Sequence, residues 1–324
     1  MKVGQIVSSL IQWLLRSKWK LLLSFFSCLI FLFILFPFDD LGDLVSAQVG
    51  KLTQNKLFLQ FDQLKMSLFP QPGMRMKKVH IESIQTPAIT AEDLTITPSI
   101  AGLIAKKPMG KVSAKGILKG DLQLEISNGS KSEAGVERSQ IELVAKKMSL
   151  ADIRSLVNLP VLLKGKLDLE TIALADLSFT EQPEIDMNLK VSQFELPPAN
   201  MNTAMGPLTL PELKLSQVDL KGKLSNGKFL IESGNIGQNT DELYGTIKGN
   251  MGLQIQNLSG VPSPLMGAYS IEIELNAKKS FQDRAGLFLS FLEAYKTPTA
   301  DGAKFKFRIS SQNFQIPPTI GAAR

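Results

Sequence analysis

Three different periods of apolar residues follow one another along this chain, and the changes between them mark its elements. From Leu21 to Phe36 it reads LLLSFFSCLIFLFILF, sixteen residues without a charge, and Pro37 and Phe38 extend the run to 18. That is the short end of what crosses a bilayer. The run predicts a transmembrane anchor over 21–38, with Leu21, Phe25, Leu29, Leu32 and Phe36 as its anchor residues. Next, Leu41, Leu44, Val45, Gln48, Val49 and Leu52 recur at spacings of three and four, which predicts a short amphipathic helix within 39–56, ending before Asn55. Beyond it the period becomes two and stays there.

Alternation is clear at Leu57, Leu59 and Phe61, at Leu64, Met66 and Leu68, and along an unbroken run from Val112 to Ile126. It returns at Ile185-Met187-Leu189-Val191, Tyr269-Ile271-Ile273-Leu275 and Phe305-Phe307-Ile309. Turn signals separate such runs: Pro72-Gly73, Asn128-Gly129, Pro197-Pro198 and Asn226-Gly227. The last, two residues between Lys223-Leu224 and Phe229-Leu230-Ile231, is the strongest short hairpin signature. Strict alternation predicts antiparallel sheet with one dry and one wet face. The pattern slips by one residue at Pro211-Glu212, at Ser216-Gln217 and within 167–179, as bulged or bent strands would require. Helices are few. Ser149-Leu-Ala-Asp152 opens one to about Asn158, Ser280-Phe-Gln-Asp283 opens another before Pro298, and a turn of helix fits Ile100–Ala105. Gly129–Arg138 reads as a polar loop. The predicted class is mainly β: a long curved antiparallel sheet, or a sandwich, with a few short helices behind one N-terminal membrane helix.

Charge orients the molecule. Lys2, Arg16, Lys18 and Lys20 give residues 1–20 a charge of +4, out of +6 for the whole chain of 324 residues. Asp39, Asp40 and Asp43 follow the apolar run. The positive-inside rule places residues 1–20 in the cytoplasm and residues 39–324 outside it, with Trp13 and Trp19 near the interface. A cleaved signal peptide is the rival. Its best cleavage box, Val45-Ser46-Ala47, begins eight residues past Pro37, too far from the apolar run, so the reading is a retained anchor. Cys28 sits inside the run and reads as apolar filler rather than a lipidation site. With the N-terminal charge set aside, the remaining 304 residues carry only +2, which removes any argument for nucleic acid.

One His and one Cys exclude a His/Cys metal site and a disulfide. His80 falls on the wet side of Lys78-Val79-His80-Ile81-Glu82. No phosphate-binding glycine loop, HExxH or GxSxG occurs, and the glycines Gly234, Gly237, Gly245, Gly249 and Gly252 suit close strand approach. The Lys-Lys doublets starting at 77, 106, 146 and 278 read as solvated strand ends. The expectation is a protein without enzymatic activity, cofactor or metal.

Three stretches carry a resemblance: the anchor running into its linker; Met66-Ser-Leu-Phe-Pro-Gln-Pro-Gly-Met-Arg-Met76 with Val79-His-Ile-Glu-Ser83; and Leu224–Gly237 continuing into Asp241-Glu-Leu-Tyr-Gly-Thr-Ile-Lys-Gly249. Together they resemble the type II secretion system protein N family, and more broadly AsmA-like envelope proteins. The family resemblance implies a single-pass protein of the bacterial inner membrane with a periplasmic β-domain, partnered by other type II secretion components. The AsmA-like resemblance implies a curved sheet whose dry face holds phospholipid acyl chains. The chain divides into a basic segment (1–20), the anchor (21–38), a linker helix (39–56) and a β-rich domain (57–324). Leu122, Leu124, Leu253, Ile255, Ile271 and Ile273 are the candidate apolar groove, expected to be shielded from water. Two function classes stay open: a secretion component acting by protein contacts, and a lipid-binding or lipid-transfer protein of the envelope.

Overall fold

A computed structural model describes residues 18–35, 41–53, 55–67, 72–83, 87–157, 159, 161–203, 206–258 and 261–323. The protein is mainly β, with 58% of the described residues in strands and few helices. Helix α1 spans Lys18–Leu35 and α2 spans Gly42–Leu52. Then come β1 (Leu57–Gln60), β2 (Gln63–Ser67), β3 (Gly73–Ser83), β4 (Ile89–Pro98), α3 (Ile100–Ala105), β5 (Gly110–Ile117), β6 (Gly120–Asn128) and β7 (Ser139–Ser149). Helix α4 (Leu150–Leu156) leads into β8 (Lys164–Ala175), β9 (Glu184–Leu196), β10 (Ala199–Thr203), β11 (Gly206–Leu210), β12 (Leu213–Ser225), β13 (Lys228–Ile236), β14 (Leu243–Leu258) and β15 (Val261–Lys278). Helix α5 (Lys279–Ser290), β16 (Lys296–Thr299), β17 (Gly302–Ser311) and β18 (Thr319–Ala322) close the chain.

Sixteen strands form one sheet, ordered β1-β3-β4-β5-β6-β7-β8-β9-β12-β13-β14-β15-β17-β16, with β2 also on β3 and β18 also on β17. The remaining pair, β10–β11, is a hairpin off this sheet. The sheet is single, so the sandwich alternative is not adopted. Its surface agrees: the chain exposes 21335 Å², against about 13,200 Å² for a compact protein of its 35.5 kDa. Fourteen strands in file at ~4.8 Å spacing make a sheet about 60 Å long. Both ends are finished by two short strands in tandem, β1 and β2 on β3, and β16 and β18 on β17, a common way of blunting a sheet edge.

Most buried apolar residues gather in two separate clusters, one near each end, while Ala145, Met148, Ala175, Val191 and Leu224 are buried between them. At the N-terminal end, Leu41, Val45 and Val49 of α2 and its flank pack on Leu59, Leu64, Met76, Val79, Ala91 and Ala114. At the other end, Phe281, Ala285 and Leu289 of α5, with Leu292, cover Ala277, Ala303, Phe305 and Phe307. The amphipathic period that predicts α2 is thus satisfied by a real apolar surface.

Several expectations need correction. The run from Val112 to Ile126 is not one strand: Leu118 and Lys119 take φ of 47° and 61° and turn β5 into β6. Both central residues of that two-residue turn need positive φ, and here neither is Gly, Asn or Asp, so the sequence gives no warning. Asn226 and Gly227, at 50° and 69°, form the expected hairpin turn. The slip between Leu169 and Ile172 does not occur, because β8 pairs with β9 without interruption from Lys166 to Leu174; the one irregularity opposite this stretch is an extra residue on β7 between Ala145 and Met148. Thr171 and Ala173 therefore take the dry face and Ile172, 48% exposed, the wet one. Leu208 and Leu210 belong to the β10–β11 hairpin, so Pro211-Glu212 is a break between elements and not a bulge. At Ser216-Gln217 the register of β12 on β9 is not shifted, Leu215 lying opposite Phe194 and Val218 opposite Val191, yet both pack in the C-terminal cluster. Ser149 caps α4 as expected, accepting from the Asp152 N–H at 3.4 Å, but α5 starts one residue before Ser280 with no side-chain cap.

The expected span over 21–38 is only partly described, since Phe36, Pro37 and Phe38 lie outside the described residues, as do residues 1–17. Within α1, Lys18 and Lys20 leave fifteen uncharged residues, about 22 Å of helix. Among the described residues, no helix is long and apolar enough to cross a membrane.

Candidate functional site

Directly opposed residues of an antiparallel pair lie on the same face, so the pairing register shows what the faces of the sheet carry. One row of opposed residues starts at Met66 on β2 and Met74 on β3, passes through Leu124 on β6 and Ile271 on β15, and ends at Ile320 on β18. Along its fourteen positions only Thr171, Gly222 and Gly249 are not apolar side chains. The neighbouring row runs from Leu64 through Leu122 and Ile273 to Ala322, broken only by Gly234. A third includes Ile126, Ile141, Ile185, Phe229 and Tyr269. None of these rows contains a charge.

The opposite face is charged with alternating sign. Lys77, Asp93, Lys115, Asp121 and Lys146 form one row of opposed residues, and Lys248, Glu272 and Arg308 part of another. Arg75 donates from Nε to Asp93 at 2.6 Å and Arg308 pairs with Glu272 at 2.6 Å. The hydrogen bond from Arg75 holds the Asp93 carboxyl below its ordinary pKa. Such cross-strand pairs fix the register that keeps the other face dry.

The six predicted groove residues all reach the apolar face. Leu124 and Ile271 share the first row, and Leu122 and Ile273 the second. On β14, Leu253 and Ile255 continue the alternation of Ile247, Gly249 and Met251 past a register shift, the extra residue lying on β15. The expectation of complete shielding is not met: all six are half-buried. Leu122 packs only at the margin of the N-terminal cluster and Ile273 at that of the C-terminal one, and the other four belong to neither. Leu143, Leu169, Met187, Leu189 and Ile231 belong to the same rows and were legible as alternation, but only the register joins them to the six. Of the predicted anchor residues, Leu21 lies within α1, Phe25, Leu29 and Leu32 are exposed there (Phe25 by 64%), and Phe36 is outside the described residues.

Polar loops border the face. Between β8 and β9, Asp176 accepts hydrogen bonds from the Ser178 N–H and from the Thr180 N–H and hydroxyl. The Thr180 hydroxyl first, then the two amides, hold its carboxyl below the usual range. Six residues on, the Gln182 side-chain amide accepts from the Ile255 N–H at 2.8 Å and donates to its C=O at 3.1 Å. His80 lies 3.1 Å from Glu82, on the wet side as read from the sequence. Among the described residues, no group of three or more His, Cys, Asp or Glu is placed to hold a metal.

No protein-family model, no curated protein and no solved structure matches this chain.

Proposed function

We propose that this protein is a non-enzymatic, single-pass component of type II secretion at the bacterial inner membrane, acting through a periplasmic β-domain. The observation that carries the reading is the uncharged face, which runs the length of the sheet and keeps many of its side chains half-exposed. A surface of that size without charge is a contact surface. It meets other secretion components, and the resemblance at Met66–Met76 and Leu224–Gly249 is what names the machine. Residues 21–38 form the tether, with residues 1–20 cytoplasmic. The exposed Phe25, Leu29 and Leu32 support that role.

A second reading is favoured by the half-buried state of Leu122, Leu124, Ile271 and Ile273. Side chains left half open across so many strands suit acyl chains, and on this reading the protein binds or transfers phospholipid. One experiment separates the two. A deletion strain carries the wild-type gene, Leu124→Asp or Ile271→Asp; released exoprotein and lipid co-purifying with the protein are both measured. Loss of secretion in the deletion strain supports the secretion reading. Normal secretion together with altered envelope lipid, and loss of co-purifying lipid in both variants, would replace it with the lipid reading.

A further inference from the structure

Beyond Gly252 the β14–β15 hairpin outruns its neighbours. Pairing of β13 with β14 stops at Lys228 opposite Gly252, and pairing of β17 with β15 stops at Ser311 opposite Tyr269. The pair nevertheless continues to Leu258 opposite Val261. A two-stranded finger therefore leaves the sheet, rooted where Gly252 and Gly267 approach closely enough that a Cβ on Gly252 would lie 3.3 Å from the Gly267 Cα. Each outer edge of such a finger offers backbone N–H and C=O groups for pairing.

The two edges are treated differently. Leu253 donates its N–H to the Gly227 C=O, and Ile255 engages Gln182 with both its N–H and its C=O. The backbone groups of Leu253 and Ile255, and by alternation of Asn257, thus point away from β15. In an antiparallel pair the residues opposite them also point outward. Opposite Ile255 and Asn257 stand Pro264 and Pro262, which have no N–H to offer. The β15 edge is silenced by proline. Beyond the Gly227 C=O, the β14 edge is held by one side-chain amide, which donates once and accepts once and so copies one residue of an added strand.

We propose that the β14 edge at Ile255–Asn257 is a strand-addition site for an extended segment of a partner protein, and that the Gln182 amide holds its place until that segment binds. The added strand prolongs the position of β13 along β14. Its alternate side chains fall on the face that carries Leu253 and Ile255, so the segment is apolar at every second residue. The proposal rests on the protein-contact reading above and names the class of partner.

The test uses the full-length protein in detergent and a labelled peptide, KFLIESGNI, the sequence of β13, which already pairs with β14 further along the same edge. Gln182→Ala should bind this peptide at least tenfold more tightly than wild type in fluorescence anisotropy. Adding Ile255→Pro, or separately Asn257→Pro, to Gln182→Ala should remove the gain, and the second variant guards against a folding defect in the first. Amide exchange at Ile255 and Asn257 should slow when peptide is bound. Equal binding by wild type and Gln182→Ala, or binding indifferent to both prolines, overturns the proposal. Self-association of Gln182→Ala without peptide also overturns it, by giving the edge to a second copy. Because binding is read in vitro, normal secretion in a deletion strain would remove the secretion reading without touching this result.

Discussion

A single carboxylate illustrates how much of this fold is held by short polar contacts at strand ends. Asp176 is buried in the turn after β8 and receives three hydrogen bonds, two of them from backbone amides. Its pKa is lower folded than unfolded, so its ionised form adds stability above about pH 4, and that contribution fades as pH falls through the folded value. Asp176→Ala should therefore cost about 2 kcal/mol at neutral pH, as for hydrogen bonds to a charged group. Urea unfolding repeated near pH 3 should show the gap between variant and wild type closing; a constant gap would mean that the turn is held by something other than the ionised carboxylate. At this scale the sequence was only partly legible. Alternation placed Leu122, Leu124, Ile271 and Ile273 on one face, but the slip predicted within 167–179 is not made at Thr171-Ile172, because a Thr and an Ile in adjacent positions leave the parity of a strand ambiguous. Gln182 gave no signal, since its role depends on a strand edge 73 residues away.

Among the elements, helices with a clear apolar period were readable and the turns were less so. Helix α2 appears where Leu41, Val45 and Val49 predict it, because those residues have a sheet to cover. The turn at Leu118-Lys119 was hidden: its positive φ values are imposed by the pairing of β5 with β6 and are not requested by Gly or Asn. Helix α5 lets two kinds of contact be ranked. Its Phe281 is buried against Ala277, Ala303 and Phe305, whereas Arg284 pairs with Glu242 at a site where both side chains are more than a third exposed. Phe281→Ala should destabilise the C-terminal end by about 3–5 kcal/mol through lost burial and the cavity left behind. Arg284→Ala should cost under about 1 kcal/mol, because solvent screens an exposed pair. Thermal melts of the two variants test this order, and a larger loss for Arg284→Ala would show that the ion pair, not the apolar face, docks the helix.

For the molecule as a whole, an open file of strands behaves differently from a globule. Each strand of the main sheet pairs only with its neighbours in the file, and the two buried clusters share no residue. Stability in such a quasi-one-dimensional array is a sum of local terms, so damage at one end need not reach the other. This separation was not legible from composition, because 44% apolar content is equally compatible with one central core; only the pairing order shows that the apolar residues are spread along a face. Hydrogen exchange read by mass spectrometry should accordingly show two protected zones, β3–β5 under α2 and β15–β17 under α5, with faster exchange in β7 and β8. Phe305, fully buried in the second zone, provides the perturbation. Phe305→Ala should lower protection in β15–β17 by about 3–5 kcal/mol while leaving Met76, Val79 and Ala91 unchanged. A drop at both ends would mean that the sheet unfolds as one cooperative unit, with the middle strands transmitting strain. An apolar ligand added to the same experiment should raise protection selectively in β7 and β8, since neither helix-covered cluster includes a residue of those strands.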